Sequence, residues 1–299
     1  MRVAILLTLA ALTSFVSSAA IGAEIRVVDD DSRSVVLGEP ARRIVSLAPH
    51  VTELLYAAGA GGYIVGAVEY SDYPEAAKKI PRVGNDAQLD LERIISLKPD
   101  LIVVWLHGSA QRQLVKLITL GIPVFNNGPR RLGDIAQSIE RFGRLAGTEA
   151  VATRSAHDFE VREMEMRARY ATRSPVRVYY QIWHRPLMTI NGEHIISDVI
   201  RLCGGRNVFA DLKLLAPVIS TEAVLNADPE VIGVGSVNVK APDVEAWKKW
   251  PRLIAVTRDN YFAVHPDLIS RHTPRILEGA RQLCEQLEAV RAKRPRVRP

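Results

Sequence analysis

Two segments of this chain repeat one pattern 130 residues apart. Residues 91–103 read LERIISLKPDLIV, and residues 221–232 read TEAVLNADPEVI. In each segment a glutamate is followed seven residues later by proline, then by an acidic residue and an apolar run. Residues 52–59 and 197–204 form a second, looser pair. The repeat predicts two similar lobes, and small ligands often bind in the cleft that such lobes form.

The first 23 residues have the pattern of a secretory signal peptide. Arg2 is followed by an apolar stretch at residues 3–16 and by small residues at 17–23. The apolar stretch is shorter than the roughly 20 residues that a membrane-spanning helix needs, so an uncleaved anchor is the less favoured alternative. No cysteine lies near the cleavage region, and lipid attachment is not expected. We therefore predict an exported, soluble protein that begins near residue 24.

Short apolar runs alternate with helical patterns along most of the chain. The predicted strands are residues 43–47, 101–105, 123–125, 176–181 and 231–234. The predicted helices are residues 51–58, 91–97, 110–120, 195–202 and 222–227. Strands that alternate with helices are typical of a parallel sheet covered on both faces. The predicted fold class is α/β, with two Rossmann-like lobes at residues 24–147 and 173–290.

Residues 148–172 contain no glycine or proline and predict one long helix between the lobes. Thr148 can cap its beginning, and Ser174-Pro175 would end it. At 1.5 Å per residue the helix would be ~37 Å long. A helical connection absorbs less bending than a loop does, so we expect small movements of the cleft. A surface helix within one lobe is the alternative.

The two cysteines and the net charge each bear on the class of protein. In an exported chain the economical assignment for Cys203 and Cys284 is one disulfide, and two buried free thiols are the alternative. The net charge is +6, of which Arg2 contributes one and five basic residues at 291–299 contribute the rest, leaving a neutral body. Residues 291–299 are predicted to be a solvated, disordered basic tail. Nothing in this charge pattern indicates a nucleic-acid partner.

Five short runs resemble one family of transport proteins. They are RIVSLAP at 43–49, YSDYP at 70–74, LERI at 91–94, KPDL at 98–101 and CGG at 203–205. These runs are similar to the helical-backbone class (class III) of periplasmic substrate-binding proteins, and within it to the vitamin B12 (cobalamin)-binding proteins of bacterial ABC importers. The likeness extends from about residue 43 to about residue 287. It implies two α/β lobes joined by a long helix, a corrinoid bound between them, and a Cys203–Cys284 disulfide.

The resemblance also implies roles for the repeated glutamates. In the family, one surface glutamate on each lobe meets arginines on the two transmembrane permease subunits of the importer. By position these correspond to Glu92 and Glu222. Two acids on two lobes can form charge-assisted pairs with a two-fold symmetric partner. The alternative is a pair of solvated acids near helix N-termini, where the helix dipole favours them.

The same resemblance suggests which side chains contact the ligand. A broad, flat tetrapyrrole suits aromatic side chains that offer a large contact area, together with a few polar groups. The positions that correspond to ligand contacts in the relative are Tyr70, Trp105, Trp183, His184 and Arg271. For the aromatic residues, core packing is the alternative. His50 follows the first predicted strand and can face the cleft, where it would touch a metal-centred ligand; a polar turn residue without that role is the alternative.

Two departures from the relative affect the predicted ligand. Asp86 and Ala216 stand where the cobalamin-binding relative has tryptophans, so the aromatic lining differs, and Asp86 is itself predicted to contact the ligand. Cobinamide, haem and a ferric siderophore therefore remain alternatives to cobalamin. In each case the ligand is cargo, and no cofactor or resident metal is predicted.

Motifs of catalysis are missing from the sequence. There is no HExxH zinc motif, no GxSxG nucleophile elbow, no phosphate-binding loop and no dinucleotide fingerprint. The glycines at 59–62 follow a predicted helix, as a C-cap does. We expect a monomeric binding protein without catalytic residues. The alternatives are an exported hydrolase with its active site in the cleft and a receptor that binds only a protein.

Overall fold

The protein is described by a computed structural model that covers residues 24–85, 87–105, 111–237 and 242–295. The predicted signal peptide at 1–23 and Asp86 lie outside the described residues. The first half contains β1 Ile25–Val28, β2 Ser34–Leu37, β3 Ile44–Ser46, α1 Pro49–Ala57, β4 Ile64–Ala67, α2 Leu91–Ser96, β5 Leu101–Val104, α3 Gln111–Thr119, β6 Val124–Asn126 and α4 Leu132–Ala146. Two short 3-10 helices lie at Gly61–Tyr63 and Glu75–Lys79.

The second half begins with the long helix α5 Glu149–Tyr170. It continues with β7 Val176–Trp183, β8 Met188–Thr189, α6 Ile195–Leu202, β9 Gly205–Asn207, α7 Thr221–Ala227, β10 Val231–Gly235, α8 Pro242–Glu245, α9 Ile254–Thr257, β11 Tyr261–Val264, α10 Pro266–Ile269 and α11 Ile276–Ala292. The strands and helices predicted from the sequence are all present, with ends that differ by one or two residues.

Each half has its own sheet. The first sheet has the order β4-β3-β5-β6, and all its pairs are parallel. The second has the order β11-β10-β7-β8, with β9 also pairing with β7, and only β8 runs antiparallel. The hairpin β1–β2 stands apart from both sheets. The predicted α/β fold with two lobes is confirmed.

The repeated segment ties a helix to two strands in the first lobe. The backbone N–H of Arg43, just before β3, donates to the Asp100 carboxylate at 3.0 Å. The Asp100 N–H in turn donates to the Arg43 carbonyl at 3.0 Å. The Arg43 guanidinium donates to the Leu97 carbonyl, where α2 ends, at 2.7 Å. The acid after the proline therefore holds the beginnings of β3 and β5 together.

The second lobe repeats these contacts with different residues. The Arg177 N–H donates to the Glu230 carboxylate at 3.0 Å, and the Glu230 N–H donates to the Arg177 carbonyl at 2.9 Å. The Arg177 guanidinium donates to the Ala227 carbonyl, where α7 ends. Because the same three contacts recur at equivalent positions, the sequence repeat reflects a structural repeat.

Helix α5 connects the lobes, as the sequence predicts. It packs against α1 and α4 on one side of the join and against α6 and α11 on the other. Its 22 residues make it ~33 Å long, shorter than predicted because it begins at Glu149 and ends at Tyr170. Thr148 occupies the N-cap position, but its hydroxyl donates to the Ala58 carbonyl at 2.6 Å and does not cap the helix. The residue limits of the two lobes remain predictions.

The predicted disulfide is present. Cys203, the C-cap residue of α6, is bonded to Cys284 in α11, and both residues are fully buried. The bridge closes a separation of 81 residues within the second lobe. It holds α6 against the helix that ends the described chain.

The prediction of a solvated tail from residue 291 is wrong for the residues that the structure describes there. Helix α11 continues to Ala292. The Arg291 guanidinium donates to the Cys203 and Gly204 carbonyls at 2.9 Å each. Arg294 pairs with the Glu230 carboxylate at 2.8 Å. These arginines are ordered because carbonyls at the end of α6 and the repeat carboxylate lie beside the last turns of α11.

Within the described ranges, no helix combines the length and the apolar character that crossing a bilayer requires.

Candidate functional site

A cleft between the two lobes contains a cavity of about 290 Å³. Its walls come from both lobes: Pro49, His50, Tyr70 and Trp105 from the first, and Asp267, Ser270, Arg271 and His272 from the second. A smaller hollow beside it shares Trp105 and His272 and is also lined by Gly128, Pro129, Arg130, Glu193, His194, Ile195 and Leu215. The sequence-predicted residues His50, Tyr70, Trp105 and Arg271 are therefore brought together.

The lining residues follow the carboxyl ends of parallel strands. Trp105 comes directly after β5, and His50 is the second residue of α1, four residues after β3. His272 lies between α10 and α11, beyond the end of β11. In open parallel sheets the carboxyl ends of the strands meet at one edge, where ligands bind. The topology thus places side chains distant in sequence on one cleft surface.

Aromatic and imidazole rings pack together in this cleft. The Trp105 ring centroid lies 5.7 Å from that of His50 and 6.2 Å from that of His272, both in edge-on arrangements. The His50 and His272 centroids are 5.5 Å apart, and the His194 centroid lies 6.3 Å from that of His272. These rings form one contiguous cluster of aromatic and imidazole side chains at the cleft.

Two of these histidines are held neutral. Burial lowers the pKa of His50 to about 4; a hydrogen bond to the Asn127 carbonyl opposes this change, and the Arg271 charge reinforces it. Burial likewise lowers the pKa of His194 to about 4. The His194 Nδ1 accepts from the Ile196 N–H at 3.2 Å, so the proton of this ring sits on Nε2. Near neutral pH, His50 and His194 therefore add no charge to the cleft.

Tyr70 stands at the cleft with an unusual backbone conformation. Its φ is +63°, in the left-handed region that a residue with a side chain enters at a cost of about 1 kcal/mol. Its side chain is 75% exposed, although it lines the cavity. The turn is supported by the Arg82 guanidinium, which donates to the Ser71 carbonyl at 2.9 Å. Strain of this kind is concentrated at functional sites, which favours a ligand contact for this ring.

Arg271 is surrounded by carboxylates. Its Nη1 lies 3.0 Å from Glu53 and 2.7 Å from Asp72, and its Nη2 lies 3.1 Å from Asp267. Burial opposes ionisation of Asp72, but the hydrogen bond from Arg271, the charges of Arg271 and Arg275 and a backbone hydrogen bond together outweigh burial and lower the pKa of that carboxyl. Burial similarly disfavours the charged form of Arg271, but the hydrogen bonds that Arg271 donates to Asp72 and Glu53, together with the charges of Asp267 and Asp72, raise its pKa. The arginine thus enters the cleft with its charge already compensated.

Two predicted contacts lie elsewhere. Trp183, at the end of β7, lines neither cleft cavity; it is 61% exposed, and its indole donates to the Arg185 carbonyl at 3.0 Å. His184 lines a separate hollow with Thr221 and Trp247, beside the beginning of α7. Asp86 lies outside the described residues, and Ala216 is exposed next to Leu215. These residues remain predictions without support from the cleft geometry.

Sequence reasoning did not select several residues of the site. His272 directly follows Arg271, which the sequence predicts to contact the ligand. This adjacency is the signal by which His272 could have been predicted. His194 is the N-cap residue of α6, and Asp267 lies in the first turn of α10. Whether such residues face the cleft depends on how the two lobes pack against each other. In the part of the chain that the structure describes, no group of three or more His, Cys, Asp or Glu residues can hold a metal ion.

A larger hollow, of about 570 Å³, lies away from the cleft cavities. It is lined within the second lobe by Leu225 and Asp228 at the end of α7 and by residues 250–253. Because one lobe alone forms it, and because it lacks the strand-end residues of the cleft, we place the ligand site in the smaller cavity between the lobes.

The two repeated glutamates occupy matching positions. Glu92 is the second residue of α2, and Glu222 is the second residue of α7; both are exposed. Asp90 and Ser220 cap these helices by accepting from the backbone N–H three residues on, at 3.0 and 3.2 Å. The Glu222 pKa is lowered by its own backbone N–H and by Ser220. Each lobe thus presents an exposed glutamate carboxylate at the beginning of an equivalent helix.

Comparison with known proteins gives consistent results. Residues 44–267 match the family model described as periplasmic binding protein. The vitamin B12-binding protein of Vibrio cholerae is 39% identical over 250 residues, which cover 83% of this chain and 90% of that protein. The vitamin B12-binding protein of Yersinia pestis is 38% identical over 253 residues, covering 84% and 88% respectively.

Solved structures show the same fold. The crystal structure of the periplasmic vitamin B12 binding protein BtuF of Vibrio cholerae has a TM-score of 0.77 at 39% identity, covering 84% of this chain and 98% of that one. The periplasmic haem-binding protein RhuT of Roseiflexus has a TM-score of 0.73 at 23% identity, covering 84% and 99%, and shares the fold alone. The family model covers most of the described chain. This chain therefore belongs to the periplasmic binding protein family.

Proposed function

We propose that this protein captures cobalamin or a related corrinoid in the periplasm and delivers it to the permease of an ABC importer. It would reach that compartment through a cleaved signal peptide at residues 1–23. Binding involves no covalent change, so the protein is a carrier and not an enzyme. The observation that carries this proposal is the cavity between the lobes, where aromatic and neutral imidazole rings converge.

The lining suits a wide ring system that carries neutral amides. Tyr70 and Trp105 provide exposed aromatic surface for a macrocycle. Arg271 is already paired with Glu53, Asp72 and Asp267, so little positive charge is left for ligand carboxylates. Corrinoids carry amide side chains, whereas haem carries two propionates. This compensation of charge favours a corrinoid over haem.

The direct test is a titration of the mature protein with cyanocobalamin, cobinamide and haemin, followed by calorimetry. We expect saturable binding of cyanocobalamin or cobinamide, and weaker binding of haemin. Saturable binding of haemin alone would overturn the ligand assignment and leave the carrier role intact. If none of the three binds, a ferric siderophore becomes the next ligand to test.

Substitutions in the cleft locate the site. Tyr70→Ala and Trp105→Ala should each weaken corrinoid binding by roughly tenfold, because each removes an aromatic contact surface. Trp183→Ala is the matched comparison, since it removes an exposed aromatic side chain that lines neither cleft cavity. An equal loss in all three variants would show that the weakened binding is not specific to the cavity described here.

We also propose that Glu92 and Glu222 dock on the permease. Their exposure at equivalent helix beginnings suits paired contacts with two subunits of a two-fold partner. Glu92→Arg together with Glu222→Arg should abolish stimulation of ATPase activity and uptake by a reconstituted importer, while ligand binding stays normal. Glu149→Arg is the control, since it reverses an exposed acid in the first turn of α5. Normal uptake with the double variant would reject the docking role.

A further inference from the structure

Two carboxylates at equivalent positions of the lobes are buried. Glu53 in α1 and Asp198 in α6 are only 4% and 7% exposed. They are also the matching acids of the looser sequence echo, at residues 52–59 and 197–204. A buried carboxylate needs compensating partners, because transfer of its charge out of water is costly. Each acid has at least one hydrogen-bond partner from the opposite lobe.

Glu53 reaches the beginning of the last helix of the second lobe. The Arg275 guanidinium donates to both Glu53 carboxylate oxygens at 3.0 Å, in a bidentate pair. Arg271 donates to the same carboxylate at 3.0 Å. Arg275 is the N-cap residue of α11, and its guanidinium also lies 3.9 Å from the Tyr73 ring centroid. We call Glu53, Arg271 and Arg275 the Glu53 clasp.

Asp198 reaches the beginning of the last helix of the first lobe. Its carboxylate accepts the backbone N–H of Leu132, the first residue of α4, at 2.9 Å. The N-cap residue of α4 is Arg131, whose guanidinium has no acceptor, so it cannot cap this helix as Ser or Asp would. The other Asp198 oxygen accepts from Arg201 at 3.1 Å. We call Asp198 and Leu132 the Asp198 clasp.

The two clasps are related by the internal repeat. Glu53 and Asp198 are 145 residues apart, from 198 minus 53. The two N-cap arginines, Arg131 and Arg275, are 144 residues apart, from 275 minus 131. In each direction, the buried acid of one lobe's cleft helix holds the beginning of the other lobe's last helix. The contacts therefore form a reciprocal pair between the lobes.

We propose that Glu53 and Asp198 are positioning residues that together set the width of the ligand cleft in the ligand-free protein. Helix α5 connects the lobes at one place. With that connection alone, one lobe could still rotate relative to the other about the ends of the helix. The two clasps connect the lobes at further places, on the side of the cleft. Widening the cleft would separate a buried charge from its partners, which is unfavourable. The site is therefore held ready for its ligand before binding.

The test is an interlobe distance measured on the ligand-free, full-length mature protein. Spin labels are attached at Lys79→Cys and Lys213→Cys, which are exposed positions on opposite lobes. Pulsed electron paramagnetic resonance then measures the distance between the labels, with the native disulfide kept oxidised. Glu53→Gln and Asp198→Asn should each broaden the distance distribution towards longer values, and the double variant should broaden it most. A distribution unchanged in the folded double variant would overturn the proposal.

Asp29→Asn is the matched control. Asp29 is 5% exposed, and its carboxylate accepts from Asp31, Arg33 and Asn126 within the first lobe only. It should lower stability without changing the interlobe distance; the same broadening in Asp29→Asn would overturn the proposal. If Glu53→Gln does not fold, Arg275→Lys keeps the charge but loses the bidentate geometry. Arg275→Lys should also broaden the interlobe distance distribution. An unchanged distribution in this variant would overturn the positioning role proposed for Glu53.

The binding readout rests on the proposed function, whereas the distance readout does not. If the clasped state falls to about a tenth of the population, cyanocobalamin should bind about tenfold more weakly to the double variant. A parent protein that fails to bind cyanocobalamin would reject the proposed ligand and leave the distance result standing. Weaker binding with an unchanged distance would overturn the positioning role.

Discussion

The two lobes share the contacts that hold their strands and helices together, but they differ in the residues that line the cleft between them. Arg43 with Asp100 and Arg177 with Glu230 make the same strand and helix contacts in each lobe. The cleft faces are unlike: the first lobe contributes mainly rings, and the second contributes most of the charges. The contacts that hold the strands together are thus repeated in both lobes, whereas the side chains that line the cleft are not.

The lobes also differ in a covalent bond, which gives the largest expected effect. The first lobe has no cysteine among the described residues, whereas Cys203–Cys284 links α6 to α11. Replacing both cysteines by serine should lower the free energy of unfolding by about 4 kcal/mol, because the bond closes a long loop. Urea denaturation measures this loss, and hydrogen exchange should locate it in the second lobe. An equal increase of hydrogen exchange in both lobes would contradict the prediction that the disulfide stabilises the second lobe.

A histidine at the beginning of each cleft helix gives the next effect. His50 and His194 have pKa values of about 4 in the folded protein, below the unfolded value of 6.5. The unfolded state therefore binds more protons between these values, and stability must fall as pH drops from about 6.5 towards 4. For the deeply buried His50 the loss is on the order of 3 kcal/mol.

His50→Asn should accordingly flatten the dependence of stability on pH in that window, measured by urea denaturation from pH 7 to pH 4. His194→Asn should act in the same direction by less, since that residue is only partly buried. His157→Asn, at an exposed position on α5, is the control and should keep the parent slope. A parent slope retained in His50→Asn would refute the buried, neutral histidine.

The scaffold contacts themselves give a smaller effect. Glu230→Gln should cost about 2 kcal/mol, because Glu230 accepts from the Arg177 N–H and also pairs with Arg294. Asp100→Asn should cost about 1 kcal/mol, because its partners at the start of β3 are backbone N–H groups. Urea denaturation of both variants gives the comparison. A greater loss for Asp100→Asn would show that the added ion pair does not stabilise the second lobe.

The glycines after the two cleft helices give the smallest effect. Gly59 and Gly204 have φ of +80° and +68°, so alanine should cost about 1 kcal/mol at either site. Gly204→Ala should cost more, since a Cβ would lie 2.8 Å from the Arg291 guanidinium and 3.2 Å from the Tyr170 carbonyl. Gly62→Ala, with open space around it, is the control in thermal unfolding. Equal melting temperatures for all three would exclude left-handed strain.

Much of the fold could be read from local patterns. The limits of α6 coincide with the predicted 195–202, because its apolar spacing and the following glycine are local signals. His50 could be predicted because it follows the first predicted strand, and the carboxyl ends of parallel strands share one edge of a sheet. Trp105 and Trp183 were predicted from the family resemblance; Trp105 lines the cleft, whereas the Trp183 indole donates to the Arg185 carbonyl and lines neither cleft cavity. His272 was not predicted, because its place in the cleft depends on His50 and Trp105 of the other lobe and on His194, which is 78 residues away in sequence.

The sequence by itself determined the alternation of strands and helices, the repeat and the long helix between the lobes, since these depend on residues a few positions apart. Only the tertiary structure decided that Glu53 meets Arg275 and that Asp198 caps α4, across separations of 222 and 66 residues. It also decided that Arg291 is ordered. Such contacts depend on how whole lobes pack, and no local propensity encodes that placement.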